Sequence, residues 1–517
     1  MNALFGLSLF LLLLFSHVLA SAQNGQNGRD HAEYLEMMNE FPLQEIRRTI
    51  GTIAAHGLQP NVYWTAAMEK SYLVDPGDTN TSLRTKANEN FLRLLRDISI
   101  GGTDPQKLGL DIRIPQKPFI PVKDLGMLIV TTGGKGDLIL EALAPQNVWY
   151  ASLQESLKYL MPLCQNGSWT SLAPVKKELK LGSKNKQIPE LKSRLALYGY
   201  RFANMDETFD QDLLYAVSDV QSILRVKPDG KISPGGRTWR YLNVPCALRV
   251  RQVQADMEKI RWFPPTFEDR YIFVNLAFSQ FLLVDKTAGG SNQSMNFRTI
   301  NGRVQRKTPM MKDRMDYVIF NPFWVVPPTI FIEDKVEEIK QLNYWQINAY
   351  FNSHNYEVWN RSFTRRLDPA SINWWAIDPS ADFDIYIRQR PHTGNALGVV
   401  KFMLTNSFSI YLHDTNQREL FAQPNRLLSS GCVRLERPLD LAEYVLQGTE
   451  WNRTAIENIV AKPGEVLNKD TKVNLTNKIP VYLVNMTSQL NSDRVLRFAE
   501  DPYSQNTRIN MYLKSLL

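Results

Sequence analysis

The periodicity of the chain changes from helix to strand type at Tyr271. Upstream, apolar residues recur three and four apart: LQEIRRTIGTIAAHGL from Leu43, and TKANENFLRLLRDISIG ending at Gly101-Gly102, read as helices of a small helical unit. Between 187 and 245, LGSKNKQIPELKSRLALYGY and DQDLLYAVSDVQSILRVKPDGKISPGGRTWRYLNVP predict three short helices with a turn at Asp229-Gly230. Downstream, YIFVNLAFSQFLLVD alternates apolar and polar residues and is rich in Phe, Val and Leu, the pattern of strands. YVIF (317–320), FDIYIRQR (383–390), GVVKFML (398–404) and SIYLHD (409–414) continue it, interrupted by a helical, aromatic-rich insertion over 332–375. Helices first and strands later predict an α+β, multi-domain chain, and 517 residues suffice for two to four domains.

The first residues, MNALFGLSLFLLLLFSHVLASA, join a leucine-rich run to Ala20-Ser21-Ala22, the small-x-small pattern of a signal-peptidase site. Residues 1–22 are therefore expected to be removed, leaving an exported protein without a transmembrane segment. Its formal charge of +8 favours acidic partners: nucleic acid, anionic lipid, or a carboxylate-bearing cell wall. No run of basic residues argues for nucleic acid, and a basic surface with evenly spread Lys and Arg accounts for the charge equally well.

TTGGKGD (131–137) is glycine-rich but lacks the spacing and the Ser or Thr after Lys that a phosphate loop needs. No His or Cys pair has ligand spacing, so neither metal nor cofactor is expected.

Three cysteines remain, Cys164, Cys246 and Cys432. An odd count in an oxidising compartment leaves at least one thiol unpaired within the chain. Cys164 and Cys246 either pair or stay as separate buried thiols. Cys432 follows the small residues Ser430 and Gly431, where a sharp turn can aim amide N–H groups at a developing oxyanion. Arg434 adds a charge that favours thiolate or a substrate carboxylate.

A reactive thiol also needs a base. Of His17, His31, His56, His354, His392 and His413, the last ends the strand SIYLHD nineteen residues before Cys432. Tyr411, two residues before His413, shares its face of an extended strand and lines the same groove. The competing reading is a buried structural cysteine beside a surface histidine.

His413, fifteen further residues, then Ser429, Ser430, Gly431, Cys432, Val433 and Arg434 resemble the catalytic motif of the L,D-transpeptidases of bacterial cell walls, with Ser430 where many members carry His. NPFWVVPPTI (321–330), RQRPHTGNALGVVKFML (388–404), AAHGLQPNVYW (54–64) and FLRLLRDISIGGTDP (91–105) are similar to segments of its large multi-domain Gram-negative subgroup. Residues 187–245 resemble a peptidoglycan-binding module, with VQSIL in place of the usual Phe-Gln.

The resemblance implies a helical scaffold over 30–180, the three-helix module, a β-rich catalytic sandwich over 255–465 with a lid at 332–375, and a C-terminal extension over 466–517. It further implies a periplasmic enzyme with Cys432 as nucleophile and His413 as base, which acts on peptidoglycan tetrapeptide stems as donor and acceptor to form 3→3 crosslinks through a thioester. Cell-wall synthesis proteins would be its further partners, and carbapenems would acylate it.

L,D-carboxypeptidase action, hydrolysis by another type of wall cysteine peptidase, and non-catalytic wall binding are the alternatives. The peptidase families usually place Cys before His, the reverse of the order here. Of the insertion's aromatics Trp345, Tyr350, Phe351, Tyr356, Trp359, Trp374 and Trp375, most are expected to pack a core of their own, with one or two facing substrate.

Overall fold

The computed structural model describes residues 30–76, 80–109, 111–286, 293–378 and 384–514. The expected signal segment 1–22, and Phe383 at the start of an expected strand, lie outside the described residues.

The N-terminal third is helical for the reasons its spacing implies. Helix Thr81–Ile100 starts where Asn80 accepts the Leu83 N–H and stops at Gly101, whose φ of 91° no β-carbon favours. Leu83, Ala87, Phe91, Leu94, Leu95 and Ile98 form its buried stripe, facing helices Leu43–Thr52 and Gly136–Leu143. Helix Val148–Gln165 ends near Cys164, and Cys164 is bonded to Cys246 with the Cα atoms 5.5 Å apart, which resolves the pairing left open by sequence.

Three helices, Ile188–Ala196, Gln211–Ile223 and Arg237–Leu242, occupy 187–245. Gln221, the glutamine of VQSIL, accepts the N–H groups of Asp229 and Gly230 at 3.0 and 2.9 Å and so pins the turn below. Their apolar residues join one core with the N-terminal helices and the sheet.

Helix Cys246–Arg261 is the axle of the molecule. Its last turns carry Asp256, Glu258, Lys259 and Arg261, all buried. Lys259 pairs with Asp256 at 3.0 Å and Arg261 with Glu258 at 3.3 Å. Glu258 also accepts from Thr103 of the helical unit, and Asp256 accepts the N–H groups of Thr487 and Ser488 beyond the sheet. Charges placed so deep are tolerated only because every one is paired and hydrogen-bonded, which ties the helical unit and the sheet into a single arrangement.

Apart from a hairpin of Ser488–Leu490 and Leu496–Phe498, the strands among the described residues are β1 (Arg270–Asn275), β2 (Gln280–Asp285), β3 (Gln293–Gly302), β4 (Met311–Phe320), β5 (Trp324–Val325), β6 (Tyr356–Asn360), β7 (Arg366–Leu367), β8 (Ile385–Gln389), β9 (Val400–Leu404), β10 (Leu412–His413), β11 (Leu427–Ser429), β12 (Val433–Leu435) and β13 (Thr471–Val484). Nine of them form one sheet in the order β11-β3-β12-β10-β9-β4-β13-β1-β2, and a β2–β3 pairing closes the circuit. β13 lies between β4 and β1, so the sheet runs past the boundary expected at 465. Its first half is polar and mostly exposed, and Pro480 interrupts the apolar run, which hid it from strand periodicity.

The insertion is only half helical, a correction to the sequence reading. Helical turns from Pro328 to Lys340 and helix Tyr344–Ser353 are followed by β6, β7 and β8, which with β5 form a second sheet, β5-β8-β6-β7. Alternation in YEVWN is too short to register against its aromatic surroundings. Phe331, Ile339, Phe351, Tyr356 and Trp374 fill a separate core beneath it. Trp345 and Trp375 stay 85% and 52% exposed. Among the described residues no helix is long and apolar enough to cross a membrane.

Candidate active site

The short strands β10 and β12 run parallel, with Leu412 opposite Val433 and His413 opposite Arg434. One step back in the same register, Tyr411 stands beside Cys432, and the Val433 N–H donates to the Tyr411 carbonyl at 3.1 Å. Side chains alternate along a strand, so Tyr411, His413, Cys432 and Arg434 share one face. All four, with Ser430 and Gly431, line a cleft of about 370 Å³ between the sheet and the base of the insertion. The six residues singled out in the sequence are thus brought together.

The loop that presents Cys432 is held from several sides. Gly431 has φ 122°, a conformation that residues with a β-carbon rarely adopt. Its carbonyl accepts from buried Thr308 Oγ1 at 2.7 Å. Ser429 donates to the Cys432 carbonyl at 2.6 Å and accepts the Gly431 N–H at 3.2 Å. That last bond occupies one of the amides at the turn that could be aimed at an oxyanion. The Cys432 N–H has no partner among the described residues and is the available donor. Ser430 accepts from Arg306 Nη1 at 3.0 Å, and Arg306 also pairs with Glu333 and Asp334 of the insertion. The Cys432 loop and the insertion therefore share one guanidinium.

Cys432 is half-buried and not bonded to another cysteine. Its thiol donates to the Ser409 carbonyl at 3.5 Å. Burial pushes the thiol pKa up, opposed by hydrogen bonds from Tyr411 and by the charges of Lys401 and Arg434. Arg434 therefore acts in the expected direction but does not prevail, and the group rests as a thiol. His413 is buried, and burial together with Arg434 and Lys401 pushes its pKa down to about 3, so the imidazole is neutral. Its Nδ1 has no hydrogen-bond partner among the described residues. Arg434 itself donates to Gln417 at 2.8 Å. Thiol and imidazole, lining one cleft, are thus both neutral.

Lys401, Arg306, Thr308 and Ser409 were not singled out in the sequence, and Ser429 stood there only as a position of the motif. Lys401 sits opposite His413 on β9, and its ammonium lies 3.7 Å from the centroid of the Tyr411 ring. A lone lysine within the apolar strand GVVKFML was its one visible sign. Among the described residues no cluster of metal-ligating side chains occurs.

Residues 269–460 match the family model described as the L,D-transpeptidase catalytic domain, and residues 40–157 match a Scaffold domain. A Haemophilus influenzae protein assigned as an L,D-transpeptidase is 33% identical over 214 residues, 41% of this chain and 41% of its own length. The matched part of the chain thus spans about two fifths of that relative. Among solved structures, a Clostridium acetobutylicum protein described as a fused Zn-dependent amidase/peptidase with a peptidoglycan-binding domain is 13% identical, covering 60% of this chain and 100% of its own, with TM-score 0.16. An L,D-transpeptidase from Xylanimonas cellulosilytica is likewise 13% identical with the same coverages and TM-score 0.18.

Proposed function

We propose that this chain, which carries an L,D-transpeptidase catalytic domain over residues 269–460, is a periplasmic cysteine L,D-transpeptidase that forms 3→3 crosslinks between peptidoglycan stems. The observation that carries this reading is the convergence of Cys432, His413, Tyr411 and Arg434 on one face of β10, β12 and the residues leading into them, inside one cleft. Cys432 Sγ attacks the carbonyl of the third residue, diaminopimelate, of a tetrapeptide stem while its proton passes to His413. The Cys432 N–H faces the oxyanion. Burial, Arg434 and Lys401 disfavour imidazolium, so His413 readily gives that proton to the departing D-Ala amine as the peptide bond breaks.

A thioester remains on Cys432. The side-chain amine of a second stem's diaminopimelate attacks it, His413 takes the amine's proton and returns it to sulfur, and the crosslinked product leaves. Water in place of the amine gives carboxypeptidase action. Peptidoglycan stems are both donor and acceptor, and wall-synthesis proteins are the natural partners of such an enzyme. With Cys164 and Cys246 bonded to each other, Cys432 is the free thiol on which a carbapenem would be opened.

The test is mass spectrometry of products from purified protein and disaccharide-tetrapeptide. Dimers joined between two diaminopimelate residues support crosslinking. Tripeptide monomers alone would assign the chain as an L,D-carboxypeptidase, and unchanged substrate would favour a non-catalytic wall-binding role.

A further inference from the structure

Across three adjacent strands, Arg434 of β12, His413 of β10 and Lys401 of β9 are direct partners in register. Directly paired residues project from the same side of a sheet, so the imidazole has a cation on either flank. A catalytic histidine is more often steadied by a carboxylate. Here neither cation has a carboxylate partner among the described residues: Arg434 donates to Gln417 and Thr415, and Lys401 rests on the Tyr411 ring at 3.7 Å.

The charged and titratable groups that act on the Cys432 sulfur are Lys401 of β9, Tyr411 just ahead of β10 and Arg434 of β12, and His413 of β10 lines the same cleft. At the mouth, Arg306 is already neutralised by Glu333 and Asp334.

We propose that Lys401 is a positioning residue of the reaction: clamped on the Tyr411 ring, it holds the phenol against Cys432 and supplies positive charge that stabilises the sulfur anion while keeping His413 unprotonated. This rests on Cys432 being the nucleophile. The two effects suit two stages. Before attack, negative charge gathers on sulfur and a nearby cation lowers its cost. Once the thioester has formed the sulfur is neutral, and the same cation disfavours imidazolium, leaving His413 free to take the acceptor's proton. Lys401 touches neither substrate nor reacting atom. It acts through Tyr411, Cys432 and His413.

The experiment compares full-length wild type with Lys401→Met, which keeps the length of the side chain and removes its charge, and with Lys401→Arg, which restores it. Iodoacetamide alkylation of Cys432 is followed by intact mass against pH, independently of any crosslinking assay. Lys401→Met should slow alkylation at pH 7 by about tenfold, because a less stabilised thiolate is scarcer. It should also move the acid limb of the crosslinking rate upward in pH, and Lys401→Arg should reverse both changes. A folded Lys401→Met protein alkylated within about twofold of wild type would overturn the proposal while leaving the crosslinking assignment intact.

Should Lys401→Met not fold, Tyr411→Phe carries the test, since it keeps the ring under the lysine and removes the phenol. Alkylation at the wild-type rate in that variant would overturn the proposal, and slowing in Tyr411→Phe with none in Lys401→Arg would support it. Absence of crosslinked product in wild type is a separate result, and it bears on the proposed function alone.

Discussion

The Cys432 thiol donates to the carbonyl of Ser409 at 3.5 Å and not to His413, although cysteine and histidine line the same cleft. The sulfur is thus parked on the loop leading into β10, where Ser409 has φ 57°. In the proposed mechanism, arrival of substrate turns that proton toward the imidazole.

This arrangement predicts the pH dependence of thiol reactivity. A pre-formed thiolate–imidazolium pair would alkylate at a constant rate across neutral pH. Here burial raises the thiol pKa and His413 stays neutral down to about pH 3, so alkylation of the free protein should climb steadily from pH 6 to pH 9 with no inflection near 6.5. The same depressed histidine acts on stability. Below about pH 6.5 the unfolded chain binds a proton at this residue that the folded chain refuses until about pH 3. Stability is therefore lost as pH falls through that window, and His413→Phe should lose less of it in urea titrations at pH 7 and pH 5.

Replacing either partner should stop the reaction. Cys432→Ala and His413→Ala are each expected to reduce dimer formation to background while the far-ultraviolet circular dichroism stays that of wild type. The two losses should be nearly equal, since nucleophile and base act as one unit. Wild-type yield from either variant would reject the assignment.

The aromatic residues of the insertion divide into two sets. Trp374 is fully buried in the insertion's core, so Trp374→Ala should cost about 3–5 kcal/mol in a denaturant titration. Trp345 is 85% exposed, and Trp345→Ala should leave stability unchanged within about 0.5 kcal/mol. If the exposed rings screen the thioester from water, Trp345→Ala and Trp375→Ala should raise tripeptide monomers relative to dimers. An unchanged ratio in both would remove these rings from the mechanism.

The axle helix makes a prediction remote from the cleft. Lys259→Met leaves Asp256 buried and short of its cation, and should destabilise the protein by about 3–5 kcal/mol by thermal or chemical unfolding. A change below about 1 kcal/mol would show that the buried pairs do not hold the helical unit to the sheet.

Local patterns exposed the helices, the change to strands and the six cleft residues, because each rests on spacing within a short stretch. Asn80 and Gly101 frame Thr81–Ile100 as their side chains and backbone freedom require. What stayed hidden depends on partners distant in the chain. β13 is recognisable only once β1 and β4 stand on either side of it, and β3 is too rich in Ser and Asn to declare itself. Arg306 lies 124 residues from the Ser430 it holds, and the burial that decides the charge on Cys432 and His413 exists only in the folded chain. The Gly431 amide, expected to face an oxyanion, is instead spent on Ser429, a bond no spacing rule announces.

The central claim is that Cys432 carries the donor stem as a thioester, and trapping that intermediate tests it most directly. Wild-type protein mixed with disaccharide-tetrapeptide, quenched in acid and measured by intact mass, should gain the mass of the donor less its terminal D-Ala. Peptide mapping should place the addition on Cys432, and Cys432→Ala should show none. An addition that retains D-Ala, one on any other residue, or none from a protein that still makes crosslinked dimers would contradict the account.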